Sequence, residues 1–314
     1  MNKNIKISLK LFFYILSISI FVCGCSLNSK KPTGTQTDLP LDEHAWMSQF
    51  FRYLLIQENG IYTLWGDKPM TVFEVETRSK EELAPFYADI PLELITIPID
   101  PNKESERIKC QKLSKAERER VVFVNYDELE FMSKWERWSE KQKTLSINNY
   151  ILLMKEGTKD KLPTLFFINI KETALILKQN YSLFREVFGE DFDPLNVIFE
   201  IKEQESAFWS QVMSDDWCRG VLFGFGKKNS WCFCWKYRNN PEEAKEFTSN
   251  LKGRPSEKHS KFKVWTIEEF NIPGFASFSE EDPFIKKYQQ QRKKIIEIYK
   301  GKDFVELSLQ KLIE

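Results

Sequence analysis

The sequence predicts an α+β protein with mixed helices and mainly antiparallel strands, as a single compact domain or two closely packed subdomains. Three observations support this class. Apolar residues such as Trp46, Phe50 and Leu54 recur at helical spacing, whereas other short segments alternate as strands do. No internal repeat of fixed period appears, which argues against a solenoid or a propeller.

The first predicted helix spans residues 42–58, and Asn59 with Gly60 ends it. Residues 61–65 and 70–76 alternate like strands around the turn at 66–69, which predicts a β-hairpin. Further predicted elements follow in chain order, namely strands at 92–99 and 121–125, a charged helix at 127–142, and strands at 150–155 and 165–170.

Helices are predicted at residues 171–188 and from Asp193 toward Met213, with Asp193 as the N-cap and Pro194 at the first helical position. Later predicted elements are a helix at 241–251, a basic loop at 252–263, a short strand at 262–267 and two C-terminal helices that Asp282 and Asp303 cap.

Residues 221–225 and 230–237 predict a second β-hairpin, joined through residues 226–229. In the register that sets Phe225 opposite Ser230, the rings of Trp231 and Trp235 cover cross-strand glycines. Phe233 lies between them on the same face, so this aromatic row is a candidate binding surface, with ordinary core packing as the alternative.

The N-terminus begins with Lys3, Lys6 and Lys10, followed by an apolar run at residues 11–22 and the sequence Val-Cys-Gly-Cys at 22–25. A charged start before a short apolar core is typical of a secretory signal peptide. As a helix the run spans about 18 Å, short of the roughly 30 Å of a bilayer's hydrocarbon core.

These residues resemble the processing site of bacterial lipoproteins. The resemblance covers about the first 25 residues and implies a diacylglyceryl group on Cys25, cleavage just before it and acylation of the new amine. Gly24 before Cys25 fits the small residue that the family has there, whereas Val22 stands where leucine is most common. A plain secretory signal or an uncleaved anchor is the alternative.

We therefore expect three regions: a signal peptide at 1–24, the lipidated cysteine with a flexible tether at 25–38, and a globular α+β domain of unknown function at 39–314. Removal of residues 1–24 leaves 43 basic against 46 acidic residues, a net charge of about −3. No basic stripe with interposed aromatics stands out, so no nucleic-acid partner is expected.

Catalytic and metal-binding patterns are sparse. Only His44 and His259 could act as catalytic or metal-binding histidines, and both are predicted at the surface. The run at 220–228 fails the phosphate-loop pattern, because Val221 and Lys228 occupy positions that need glycine and Ser or Thr. No cofactor and no metal site are expected.

Four cysteines remain after processing, Cys110, Cys218, Cys232 and Cys234. We expect buried free thiols in a sheet, with a disulfide from Cys110 to the second hairpin or a thiolate metal site as alternatives. The adjacent acids Asp215 and Asp216, and the group at 190–193, are the visible carboxylate clusters.

The sequence thus favours an exported, lipid-anchored envelope protein that acts as a binding or structural module on the membrane surface. An envelope hydrolase acting on glycan or peptide through carboxylates is the alternative, and catalytic residues remain unidentified. The expected partner is the membrane, through the lipid on Cys25, with an envelope protein or a glycan left open.

Overall fold

The structure is a computed structural model, and it describes residues 39–77, 97–99, 104–119, 121–123, 130–157, 161–203, 205–238, 266–268, 270–277, 279 and 281–314. The predicted α+β class is confirmed. The signal peptide, the tether, the helix at 241–251 and the basic loop at 252–263 lie outside the described residues.

The described part of the chain contains thirteen α-helices and five strands. The helices are α1 (Leu41–Phe51), α2 (Ile61–Trp65), α3 (Glu104–Gln111), α4 (Lys115–Glu119), α5 (Phe131–Gln142), α6 (Ile170–Gln179), α7 (Tyr181–Phe188), α8 (Asn196–Phe199), α9 (Ala207–Ser214), α10 (Asp216–Leu222), α11 (Lys227–Arg238), α12 (Pro283–Tyr299) and α13 (Phe304–Ile313). The strands are β1 (Met70–Glu74), β2 (Ile97–Ile99), β3 (Val121–Phe123), β4 (Tyr150–Lys155) and β5 (Thr164–Asn169).

The central sheet has the order β1-β5-β4 and is antiparallel throughout, with Met70 opposite Ile168 and Tyr150 opposite Asn169. β2 and β3 form a separate parallel pair. Along β5 the side chains alternate between two hydrophobic cores, Leu165 and Phe167 facing one and Phe166 and Ile168 the other. The strands predicted at 150–155 and 165–170 are confirmed, and helices cover both faces of the sheet.

The predicted first helix is confirmed as α1 with its continuation, a π-helix at Arg52–Gln57. Asn59, with φ of 60°, follows the end of that helix. Phe50 is fully buried and stacks between Phe131 and Trp138, with ring centroids 5.4 and 5.1 Å away. The apolar face that the sequence showed is therefore the core of this half of the domain.

The predicted first β-hairpin is wrong, because residues 61–65 form helix α2. The Leu64 N–H donates to the Gly60 carbonyl at 2.9 Å, as in an α-helix. The side chains from Ile61 to Leu64 are all buried, so buried and exposed side chains do not alternate here as they do in a half-exposed strand. The predicted strand at 70–76 does exist as β1, but it pairs with the distant β5.

The predicted second β-hairpin is also wrong, because residues 216–238 form the helices α10 and α11. The Asp215 side chain accepts from the Cys218 N–H and starts α10 as its N-cap. Gly224 and Gly226, with φ of 84° and 80°, make the turn into α11. The three-residue aromatic row at 231–235 alternates as a strand would, yet these local signals favour helices.

Side-chain caps mark the starts of four further helices, α6, α9, α12 and α13. Asp282 caps α12 and Asp303 caps α13, as predicted. The segment 171–188 forms two helices, α6 and α7. The predicted continuous helix toward Met213 is interrupted by a 3-10 turn at Glu200–Lys202, and Ser206, whose hydroxyl accepts from the Trp209 N–H, starts α9 anew. No helix in the described part of the chain is long and apolar enough to span a bilayer.

Candidate functional site

A cavity of about 500 Å³ lies where four stretches of chain meet. The walls come from Glu58 and Asn59 after the π-helix, from residues 68–72 at the start of β1, from residues 216–233 of α10 and α11, and from residues 273–276. We call it the Lys68 cavity. Its volume falls within the range of roughly 300–1,000 Å³ that is typical of small-molecule sites.

Lys68 is the unusual charge in this cavity, because only 5% of it is exposed. Its Nζ donates to the Met70 carbonyl and to Thr71 Oγ1, the latter at 2.7 Å. Burial lowers the pKa of Lys68 from 10.5 to about 7, against the nearby charge of Glu58, which raises it. Near neutral pH the amine therefore exists in both its charged and its neutral form.

Lys68 is held on a fixed stretch of backbone. The Pro69 carbonyl accepts from the Asn169 N–H at 2.8 Å and from Thr173 Oγ1 at 3.1 Å. The Thr71 hydroxyl lies 2.9 Å from that of Thr63, and both side chains are buried. These contacts tie the segment to β5, α6 and α2, so the amine has a defined position at the cavity wall.

Two amide oxygens at the cavity lack partners among the described residues. Asn229 is 2% exposed, and its Nδ2 donates to Asp282 Oδ1 at 3.3 Å while its Oδ1 has no partner. Asn59 Oδ1 is likewise buried and unpartnered. A buried acceptor left without a donor costs about 1–3 kcal/mol. Neither oxygen is accessible in the structure, so each amide must turn toward the cavity before a ligand donor can reach it.

The rest of the wall is an ion pair and aromatic rings. Asp216 pairs with Arg219, which also donates from Nη1 to the Met213 carbonyl at 2.6 Å. Phe225 and Phe275 stack at 5.1 Å between ring centroids. Phe233 also reaches the cavity. The site can therefore bind a ligand that has both polar groups and an apolar part.

The predicted aromatic surface is divided by the helix. Trp231 and Trp235 lie one turn apart on α11 and stack at 6.3 Å, with 48% of Trp231 exposed. Phe233, two residues from each, lies on another side of the helix, where it lines the Lys68 cavity and is 37% exposed. The structure therefore brings only Phe233 to the cavity.

The other candidate groups have structural surroundings. His44 Nε2 lies 2.9 Å from Asp303 Oδ2 in a surface pair, and His259 lies outside the described residues. Asp193 Oδ1 accepts from the Leu195 and Asn196 N–H groups, as a cap does. In the described part of the chain no group of three or more His, Cys, Asp or Glu could hold a metal ion.

These four cysteines form no disulfide and lie in helices, Cys110 in α3, Cys218 in α10, and Cys232 and Cys234 in α11. The expectation of thiols in a sheet is wrong, because the second hairpin does not exist. Burial raises the pKa of Cys218 to about 12 and that of Cys232 to about 11, so both stay protonated near neutral pH.

Sequence reasoning missed Lys68 and Asn229. Lys68 lies in a Gly-Asp-Lys-Pro segment that reads as a solvent-exposed turn, and Asn229 lies in the loop of a predicted hairpin. No local pattern marks either residue, because the burial of both depends on segments far apart in the chain.

No protein-family model, curated protein or solved structure matches this chain.

Proposed function

We propose that this protein is an exported, lipid-anchored binding module of the cell envelope. A lipid on Cys25 holds it on a membrane, and a small ligand binds in the Lys68 cavity. The observation that carries the proposal is the pair of buried groups at that cavity, the Lys68 amine and the unpartnered Asn229 Oδ1. A folded chain tolerates such groups best where a ligand compensates them.

The tether supports action close to the membrane. Residues 26–38 contain one apolar residue, Leu27, and are otherwise polar or Pro and Gly. A flexible chain of this length has a root-mean-square span of about 20 Å. The domain would stay near the bilayer surface, where the membrane is its first partner and an envelope protein or glycan is within reach.

Replacement of the cavity aromatic tests the binding site. We expect Phe233→Ala to weaken ligand binding about tenfold, because the loss of a partly buried ring at a binding site costs about 1–2 kcal/mol. The measurement is the thermal shift of the full chain, purified in detergent, against a panel of amino acids, dipeptides and monosaccharides, followed by titration of each hit.

Trp231→Ala is the matched control, since it removes a more exposed aromatic ring from the same helix outside the cavity. It should leave the affinity unchanged. Equal losses in both variants, or a full panel without any shift, would contradict binding in the Lys68 cavity.

The anchor is tested at Cys25. We expect Cys25→Ala to move the protein from the membrane fraction to the soluble fraction and to abolish labelling by a fatty-acid analogue, because Cys25 carries the acceptor thiol. Cys23→Ala is the matched control, two residues away, and should keep both the label and the membrane association. A label that persists in Cys25→Ala would refute lipidation at this residue.

One observation favours the alternative hydrolase, namely that Glu58 and Asp216 both line the Lys68 cavity. Two carboxylates at one cavity can supply a general acid and a general base. A hydrolase would release product from a glycan or peptide substrate, and Glu58→Gln would abolish the turnover. A binding module would bind the same molecules without changing them.

A further inference from the structure

The Lys68 cavity has unfilled hydrogen-bonding capacity of both kinds. A lysine ammonium has three N–H donors, and in the structure Lys68 uses two of them, on the Met70 carbonyl and Thr71 Oγ1. The third can serve a ligand acceptor. Asn229 Oδ1 and Asn59 Oδ1 need donors. A matching ligand therefore carries at least one acceptor and at least one N–H or O–H group.

The charge of Lys68 limits which acceptor group the ligand can carry. A buried ammonium is strongly favoured by an anion in contact with it. Among the described residues of the cavity wall, Arg219 is paired with the Asp216 carboxylate, whereas Lys68 donates only to the neutral Met70 carbonyl and Thr71 hydroxyl, so Lys68 is the cation with less charge compensation. One singly charged carboxylate suits this balance better than a phosphate dianion, which would call for more cations.

The two asparagine oxygens limit which donor group the ligand can carry. A carboxylate cannot donate to Asn229 Oδ1 or Asn59 Oδ1, so another part of the ligand must do so. An ammonium or amide N–H meets this need. A neutral sugar would also supply donors, but it would bring no charge to offset the burial of the Lys68 ammonium, which Glu58 offsets only in part.

Part of the cavity wall is apolar, because Val72, Phe223 and Phe275 line it. A matching ligand therefore also carries an apolar group. We propose that the Lys68 cavity binds an amino acid or the end of a short peptide with an apolar side chain, its carboxylate on Lys68 and its N–H groups on the two asparagine oxygens after both amides turn toward the cavity. The inference rests on the proposed binding function and specifies the ligand class.

Binding of a carboxylate beside Lys68 raises the pKa of the amine above the value of about 7 in the free protein. At about pH 8 the free protein holds Lys68 mostly neutral, so the complex takes up a proton on binding. A neutral ligand gives no such uptake.

The test is isothermal titration calorimetry of the full chain in detergent at about pH 8, in phosphate and in Tris, whose ionisation enthalpies differ. The probes are phenylalanine, alanyl-phenylalanine, phenylalaninol, which lacks the carboxylate, and N-acetylglucosamine. We expect phenylalanine to bind with uptake of up to one proton and phenylalaninol to bind at least tenfold more weakly. The proton count is taken from phenylalanine, because the amine of alanyl-phenylalanine itself titrates near pH 8.

The outcomes separate the two proposals. Phe233-dependent binding of N-acetylglucosamine with no binding of phenylalanine or the dipeptide overturns the ligand class and leaves the cavity a binding site. Binding of phenylalanine without a buffer difference overturns the contact with Lys68. The absence of any binding overturns the inference, and if the wider panel also fails, the proposed function fails with it.

Variants give a second readout. Lys68→Met should abolish the proton uptake, whereas Lys134→Met should preserve it. Lys134 is equally buried at 5% exposure, but it lies on α5 outside the cavity and pairs with Glu130, the residue before that helix. Circular dichroism checks that both variants fold. If Lys68→Met fails to fold, the buffer comparison on the unaltered chain still decides the question.

Discussion

Lys68→Met is expected to remove a rise in stability with pH that the unaltered protein shows between about pH 7 and pH 10. The pKa of Lys68 is about 7 in the folded protein and about 10.5 when the chain is unfolded. Between these values the unfolded chain binds a proton that the folded chain does not. The free energy of unfolding therefore rises with pH, by up to about 1.4 kcal/mol per pH unit.

Below pH 7 both states are protonated, and the buried charge lowers the free energy of unfolding by its full amount. A shift from 10.5 to about 7 corresponds to about 5 kcal/mol. Methionine keeps the length of the side chain but loses hydrogen bonds to the Met70 carbonyl and to Thr71, at about 0.5–1.5 kcal/mol each. The charge effect is larger, so Lys68→Met should stabilise the protein by about 2–4 kcal/mol at pH 6.

Urea denaturation of the unaltered protein, Lys68→Met and Lys134→Met between about pH 6 and pH 9 measures this difference. The stability advantage of Lys68→Met over the unaltered chain should shrink as the pH rises. Lys134→Met controls for the loss of a buried lysine outside the cavity. A constant difference across the pH range would mean that Lys68 keeps an ordinary pKa and is not buried as described.

Gly226→Ala is expected to lower the free energy of unfolding by about 2–5 kcal/mol. Gly226 has φ of 80°, where a side chain costs about 1–2 kcal/mol. A Cβ there would also lie 2.5 Å from Cζ of the Phe284 ring, and such overpacking costs about 1–3 kcal/mol more. The Phe284 ring or the turn between α10 and α11 would have to move, and that turn carries Phe225 into the cavity.

Gly301→Ala separates the two contributions, because Gly301 has φ of 69° and nothing lies within 4 Å of an added Cβ. It should cost only the backbone strain. Chemical denaturation of both variants gives the comparison. If Gly226→Ala proves no worse than Gly301→Ala, the close packing of α12 against this turn is incorrect.

Parts of the fold are predictable where local and tertiary signals agree. β4 and β5 are buried on both faces, and their apolar runs show it in the sequence. The helix starts at Asp282 and Asp303 depend on a side chain and its own neighbouring N–H groups, so the residue type alone indicates them.

Residues 216–238 show where such signals conflict. Alternation of aromatic and small residues at 231–235 predicts a strand, whereas the cap at Asp215 and the glycines at 224 and 226 favour two helices. The local capping geometry prevails. The wrong secondary structure also gave a wrong surface. A strand repeats every 2 residues and puts Phe233 on the same face as Trp231, whereas a helix repeats every 3.6 residues and puts them on different sides.

The rest of the site could not be predicted from the sequence. Lys68 is buried because residues about 100 positions away, Asn169 and Thr173, fix the backbone beside it, and because α10 and α11 close over it. A charged residue in a turn is ordinarily solvated, so no sequence pattern distinguishes Lys68 from other lysines.

The most direct test of the account is native mass spectrometry of the full chain released from membranes. We expect a chain that begins at lipidated Cys25 and carries a noncovalent ligand of up to a few hundred daltons, fully present in Trp231→Ala and depleted in Phe233→Ala. A chain without lipid, or a ligand retained equally in both variants, would contradict a lipid-anchored module that binds its ligand in the Lys68 cavity.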